Sequence, residues 1–265
     1  MPLHQGGMRS WHVRPKFTSL SGSVHNCPAH SALDICGLHP AANEGLPLRD
    51  AYHEELDGIS DKLVEMTRLV RSAMARAVTA LLDADLRLAE EVISGDEHVN
   101  KIDAEIEETV FDLMARQQPV AGDLRMLITS LRMSGDLERM GDLAVHLAKT
   151  ARRRHPESAV PPELQALVLE MGQIAERMIA KAGSVVASRD VDMGLELDAD
   201  DDAMDRLHRK LFDRMLSPKW KYGVEPAVDI SLAGRYFERF ADHAVHVAEN
   251  VVYLVTGQRA EEIQD

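Results

Sequence analysis

Apolar residues along most of the chain recur in alternating steps of four and three positions, which is the spacing of an amphipathic α-helix. Between residues 52 and 81 this spacing continues with little drift, so we expect one long helix that packs in a bundle. Its apolar stripe consists of Tyr52, Leu56, Ile59, Leu63, Met66, Val70, Ala73, Ala77 and Leu81. The pattern predicts an all-α fold.

Five further stretches repeat the helical spacing, and residues that end helices separate them. Prolines and short polar groups mark the breaks, because proline cannot continue a helix and aspartate favours a cap. The further predicted helices cover residues 86–116, 123–154, 164–185, 197–215 and 226–255. The chain therefore contains six predicted long helices, and Gly257 is the predicted C-cap of the last one.

The second half of the chain repeats the first. An offset of 105 places Met66 on Met171 and Val99 on Met204, whereas the third helix of each half aligns with an offset of 100. Such a repeat indicates a duplicated unit. We expect two tandem three-helix bundles at residues 49–156 and 157–257, followed by a frayed acidic tail at 258–265.

Residues 1–48 differ from the rest of the chain because no helical or strand period persists in them. We expect a disordered or loosely attached extension, or a stretch upstream of the true start if translation begins near Leu48 or Arg49. Both cysteines of the chain, Cys27 and Cys36, lie here among several histidines. Their spacing matches no standard zinc pattern.

Composition narrows the classes of function. The formal net charge is −14 and the pI is about 5.3, which argues against non-specific binding of nucleic acid. Two cysteines are too few for a disulfide framework or a four-cysteine zinc site. The sequence has no apolar run of membrane-spanning length and no signal-peptide pattern, so we expect a cytoplasmic protein.

A short acidic phrase occurs in the third helix of each half. Glu138, Asp142 and His146 follow one another at intervals of four residues, and Glu238, Asp242 and His246 repeat this arrangement. On a helix, residues at this interval share one face. Acids beside an apolar stripe either pair with cations from the protein or hold a metal ion.

The second helix of each half carries the acidic partners of this phrase. The partners are Asp96 and Asn100 in the first half, and Asp201 and Asp205 in the second. Like charges at this spacing repel, and a bound cation would remove that cost. Oxygen ligands favour Mg, Mn, Fe or Ca. Nearby histidines would extend the preference toward Fe, Mn or Zn; they are His146, His208, His243 and His246.

Three alternatives remain open at this point. Arginines on the same helices, such as Arg139 and Arg239, could neutralise the acids in ordinary surface pairs. A di-iron oxidase or metal-storage bundle would use Glu-x-x-His motifs, which only Asp205 with His208 approximates. A phosphotransfer bundle would need an exposed histidine such as His53 or His146. No nucleophile motif, phosphate loop or nucleotide fingerprint is present, so an ordinary enzyme is disfavoured.

Taken together, the motifs identify a resemblance to a known family. The chain resembles the PhoU family over about residues 49–257, and it is most similar to actinobacterial members. The segments that carry the resemblance are residues 49–56, Asp96 with Asn100, residues 118–125, residues 138–142 and residues 238–244. The extension at 1–48 has no counterpart in it.

The resemblance implies two similar three-helix bundles with multinuclear metal clusters on their surfaces, in a protein that is not an enzyme. The implied metals are Fe, Mn, Mg or Zn. The implied ligands are Asp96, Asn100, Glu138, Asp142, Asp201, Asp205, Glu238 and Asp242. Asn100 departs from the acidic pattern and removes one charge from the first site, and His146 and His246 are not part of the family motif.

The resemblance also implies a role and partners. Family members are accessory regulators that keep the phosphate-starvation (Pho regulon) response off when phosphate is plentiful. The implied partners are the ATPase subunit of the phosphate ABC transporter and the sensor histidine kinase of the phosphate two-component system. We also expect a homodimer and no nucleic-acid partner, with membrane association only through these partners.

Overall fold

The computed structural model describes the backbone of residues 46–264 and the side chains of residues 51–263. The predicted extension and its cysteine and histidine residues lie outside the described residues, except that residues 46–48 are helical. The helices are α1 (Leu46–Asp83), α2 (Leu86–Gln117), α3 (Ala121–Arg154), α4 (Pro162–Ser188), α5 (Val191–Leu195), α6 (Leu197–Met215), α7 (Val224–Thr256) and α8 (Ala260–Gln264). Between residues 46 and 264, all regular structure is helical, which confirms the predicted all-α class.

The six long helices match the six that the periodicity predicts. Their apolar stripes form the core: on α1, for example, Ile59, Leu63, Met66 and Val70 are almost fully buried. Helices α1, α2 and α3 pack on one another, and α4, α6 and α7 do the same. These are the two predicted three-helix bundles.

Helix caps repeat between the halves as well. Asp85 accepts a hydrogen bond from the backbone N–H of Leu88 at 2.9 Å and so caps α2. Asp190, which lies 105 positions later, accepts one from the backbone N–H of Met193 at 3.0 Å and caps α5. An aspartate at this position satisfies an N–H group that would otherwise lack a partner. The equivalent caps support the duplication that the sequence indicates.

The two bundles dock on each other through α3 against α7 and α1 against α4. Small residues permit the second contact: a Cβ atom at Gly172 would lie 2.8 Å from a methyl group of Val78, and one at Gly183 would lie 2.6 Å from the hydroxyl of Thr67. The described residues accordingly form one compact unit. The boundary that we predict between the halves, after residue 156, falls in the connection between α3 and α4.

Two short helices were missed by the periodicity, because one turn is too short to show a period. Helix α5 precedes α6. Helix α8 (Ala260–Gln264) lies within the stretch where we expected a frayed tail. Gly257 ends α7 in the left-handed conformation, as predicted. The side chain of Glu262 accepts a hydrogen bond from the backbone N–H of Arg259 at 3.3 Å, and Ala260 is buried.

Candidate metal-binding faces

The first acidic face lies between α2 and α3. Asp96 is partly buried on α2, and Asn100 donates a hydrogen bond from its Nδ2 to Asp96 Oδ2 at 3.3 Å. Burial, and next the carboxylate of Asp142 on α3, raise the pKa of Asp96. Both effects penalise the charged form. The acids of the two helices are therefore close enough to repel each other.

Gly141 explains how α2 approaches α3 so closely at this face. A Cβ atom at Gly141 would lie 3.1 Å from Oδ1 of Asp96 and 3.5 Å from a methyl group of Val99. The absence of a side chain leaves room for the Asp96 carboxylate beside the α3 backbone. The segment Glu-Arg-Met-Gly-Asp thus supplies two acids of the face, and its glycine leaves room for the carboxylate of Asp96.

Glu138 completes the first face. Burial and the neighbouring Asp142 raise its pKa, and the side chain of Arg139 acts in the opposite direction. Arg139 Nη1 donates to Asp142 Oδ2 at 3.1 Å, and its Nε lies 3.6 Å from Glu138 Oε2. The arginine is 64% exposed, so these are surface ion pairs of small net stabilisation. The neutralisation by arginine that we kept open occurs here in part.

The second acidic face lies between α6 and α7. Burial raises the pKa of Asp201 to about 6, and the carboxylates of Asp242 and Asp205 act in the same direction. Among the described residues, no group donates a hydrogen bond to the buried Oδ1 of Asp201. The charged form of a carboxylate is unfavourable when other carboxylates surround it and one of its oxygens accepts no hydrogen bond. A bound cation would remove this cost.

Glu238 lies at the edge of the second face. It accepts a hydrogen bond from Arg235, and His208 Nδ1 lies 3.7 Å from its Oε2. The His208 ring is 15% exposed and rests edge-on against Phe212, with ring centroids 5.0 Å apart. His208 thus stays beside the second face as a candidate for an extra ligand.

The structure places all eight predicted ligands on these two faces. However, in the part of the chain that the structure describes, no three of the seven acids among them bring carboxylate oxygens within 4.8 Å of one another. The group that meets this spacing consists of Asp136, His243 and His246. Asp136 was not among the candidates, because the sequence gives no sign that this residue of α3 faces α7.

His146 behaves differently from His246. Its ring is exposed and stacks on Tyr236 with a centroid distance of 5.2 Å. It also lies near enough to the first face to lower the pKa of Asp96, although less than burial and Asp142 raise it. The candidate histidines therefore differ in their surroundings: His146 lies beside the first face, His208 beside the second, and His243 and His246 against Asp136.

We expect Asp201→Asn to stabilise the chelator-treated protein at neutral pH. The native carboxyl keeps its proton up to about pH 6, whereas the unfolded one loses it near 3.8. Stability therefore falls as pH rises between these values, and the full penalty is present above pH 6. A shift of this size represents about 3 kcal/mol, which solvent screening of a partly buried carboxylate reduces to about 1–2 kcal/mol.

The measurement is urea unfolding with chelator at pH 4 and pH 7. Asp201→Asn should exceed wild type by about 1–2 kcal/mol at pH 7 and match it near pH 4. Asp213→Asn, an exposed position on the same helix, is the matched control and should change little at either pH. A lower stability of Asp201→Asn at pH 7 would contradict the prediction.

The fold and its faces define the class of protein: a duplicated six-helix protein in which each repeat presents an acidic helix face. The chain belongs to the PhoU family. The model of the PhoU domain matches it twice, at residues 63–151 and 168–251, once in each bundle. The resemblance in the sequence motifs is thereby confirmed.

Named relatives and solved structures agree with this membership. The chain is 49% identical over 210 residues to "Phosphate-specific transport system accessory protein PhoU homolog 2" of Mycobacterium tuberculosis, which covers 79% of this chain and 99% of that protein. A homolog 1 of Mycobacterium leprae is 47% identical over 215 residues, with coverages of 81% and 97%. The crystal structure of PhoU from Pseudomonas aeruginosa superimposes with a TM-score of 0.71 at 33% identity, covering 78% of this chain and all of that one.

Family membership bears on one further prediction, and the helices of the structure bear on another. Proteins of this family are accessory and regulatory, so the prediction that the chain is not an enzyme is confirmed by its family. In the part of the chain that the structure describes, no helix is long and apolar enough to cross a membrane. Metal binding, the homodimer and the partners stay predictions at this point.

Proposed function

We propose that this protein is a negative regulator of phosphate uptake and of the phosphate-starvation response. It couples the ATPase subunit of a phosphate ABC transporter to a sensor histidine kinase in the cytoplasm. The observation that carries the proposal is the pair of equivalent acidic faces in a PhoU-family fold. Relatives named as phosphate-transport accessory proteins support the pathway.

The acidic faces hold metal ions in this proposal. Each face would bind its ion through the acids of two antiparallel helices, α2 with α3 and α6 with α7. Burial and mutual repulsion raise the pKa values of Asp96, Glu138 and Asp201, so the ionised acids are under-compensated by protein cations. A divalent or trivalent cation such as Fe, Mn, Mg or Zn would compensate them. Asn100 leaves the first face with one charge fewer, so we expect weaker binding there.

Metal binding would act on regulation through shape and charge. Ions held between neighbouring helices cross-brace each bundle and turn a repulsive face into one that binds the acids of a partner protein. Helices α2, α3 and α7 each have more than 30 residues. They give the protein a surface long enough to contact two partner proteins. A homodimer and contact with the membrane through the transporter fit the same surface.

The test is repression of starvation genes in cells. In a strain that lacks this protein, we expect the wild type to restore repression at high phosphate and Asp142→Ala/Asp242→Ala to fail, because one acid is lost from each face. The matched control is Asp61→Ala/Asp213→Ala, which removes one exposed aspartate from each half outside the faces. Full repression by the Asp142→Ala/Asp242→Ala variant, at equal protein level, would contradict the proposal.

A metal-storage bundle is the rival that the same acids would serve. Storage predicts loading far beyond a few ions per chain, and a di-iron oxidase predicts redox turnover with oxygen. Neither should occur here, because Glu-x-x-His pairs are absent from the sequence. A pull-down of the two partners with Asp142→Ala/Asp242→Ala separates two roles of the acids. If repression is lost while both partners still bind, the acids act through the metal and not by contacting a partner directly.

A further inference from the structure

We propose that Asp136, His243 and His246 form a zinc site between the two halves of the chain, separate from the two acidic faces. Asp136 lies on α3, and the histidines lie three residues apart on one face of α7. His243 Nδ1 is 2.8 Å from Asp136 Oδ1, and His246 Nδ1 is 3.8 Å from the same oxygen. The ligand atoms of all three lie within 4.8 Å of one another.

These distances suit a tetrahedral ion. Bonds of about 2.0–2.1 Å place two ligand atoms of tetrahedral zinc roughly 3.3 Å apart, and the two observed spacings to Asp136 lie on either side of that value. Two imidazoles with one carboxylate favour zinc and similar transition metals over Mg or Ca, which prefer oxygen ligands alone. The site therefore differs in metal preference from the acidic faces.

The fourth position opens into a pocket. A cavity of about 710 Å³ between α3, α7 and α8 is lined by Asp136, His246 and Glu249, among others. A water molecule can take the fourth place, and Glu249 lies on the wall of the same cavity. Three protein ligands with one open position is the arrangement of an exchangeable zinc site rather than of a closed structural one.

An ordinary hydrogen bond between His243 and Asp136 explains only part of this geometry. His246 is 55% exposed, and its Nδ1 lies 3.8 Å from Asp136 Oδ1, which is too far for a hydrogen bond. The ring planes of the two histidines are nearly perpendicular, with centroids 5.9 Å apart. Both rings nevertheless direct Nδ1 toward the same carboxylate oxygen.

The duplication supplies an internal comparison. The offset of 100 relates Asp136 to Tyr236 and His246 to His146, and it places Leu143 where the second half has His243. At the position related to the cluster by the duplication, α3 and α7 make contact through the ring of His146, which stacks on Tyr236. The helices can therefore pack without an acid and two histidines, so the cluster is not a requirement of the fold.

The test is titration of untagged, chelator-treated protein with ZnCl₂ in millimolar MgCl₂, which occupies sites that prefer oxygen ligands. We expect one zinc per chain that His243→Ala/His246→Ala loses, with affinity at least about 100-fold weaker. His146→Ala is the matched control and should bind like the wild type. Zinc should also raise the melting temperature of wild type and His146→Ala, but not of His243→Ala/His246→Ala.

Asp136→Asn keeps the proposal testable if the double variant folds poorly. Its amide oxygen can still accept the hydrogen bond from His243, while the anionic ligand is lost, so zinc should bind more weakly in a protein that stays folded. Wild-type zinc affinity in Asp136→Asn and in the double variant would overturn the proposal. Loss of the zinc only in Asp142→Ala/Asp242→Ala would do the same, because it would place the ion on an acidic face.

Discussion

Phe237→Ala should lower the free energy of unfolding by about 4 kcal/mol. Phe237 is fully buried on α7, one residue before Glu238 of the second acidic face. Removing the ring forfeits its burial and leaves a cavity that helices cannot collapse without moving. Urea unfolding at pH 7 with chelator measures the change without any contribution from bound metal.

The matched control is Phe111→Ala on α2, where the ring is 57% exposed. We expect a change of about 0.5 kcal/mol or less there, because little area returns to water and no cavity forms. Equal losses of unfolding free energy for Phe237→Ala and Phe111→Ala would contradict the burial of Phe237 in the core.

Asp229→Ala should destabilise the protein by about 3 kcal/mol. Asp229 is almost fully buried on α7 and forms ion pairs with Arg153 and Arg154 at the end of α3. It therefore ties the two bundles together. Removing the acid leaves Arg154, which is only 20% exposed, without its buried partner. Breaking such a pair costs far more than its formation gains.

Glu225→Ala is the control for this second prediction. Glu225 also pairs with Arg154, at 2.7 Å, but it is 79% exposed. Water replaces an exposed partner easily, so we expect a loss below about 1 kcal/mol. Urea unfolding of both variants separates the cases. A loss for Glu225→Ala as large as that for Asp229→Ala would show that burial does not decide the cost.

The helical core follows from the sequence because an apolar stripe has one way to be buried in a bundle. The spacing from Tyr52 to Leu81 predicts α1, and prolines predict the end of α2 and the start of α4. Equivalent offsets also predict the duplicated acidic faces. Sequential long helices joined by short connections are antiparallel neighbours, so the acids of α2 were expected beside those of α3, and Asp96 does lie close to Asp142.

Contacts between the bundles do not follow from the same pattern. A period of 3.6 residues identifies the core side of α3 and α7, but it does not say which remaining side meets the other half. Asp136 and His243 were therefore not paired by the sequence. The ion pairs of the buried Asp229 with Arg153 and Arg154 were also missed, since no spacing in the sequence relates α7 to the end of α3.

Spacing likewise predicts which acids share a face but not how their charges are balanced. Arg139 pairs with both acids of the first phrase, whereas Asp201 has an oxygen with no donor among the described residues. This difference depends on side-chain conformations that the sequence pattern does not fix. It makes the second face the one with the greater need for a cation.

Elemental analysis of untagged protein tests the central claim, that the acidic faces bind metal, most directly. Wild type and Asp61→Ala/Asp213→Ala should retain ions after dialysis, and chelator should remove them. Asp142→Ala/Asp242→Ala should lose about half or more of these ions, because each face lacks one ligand. Metal content in that variant equal to wild type would contradict the claim.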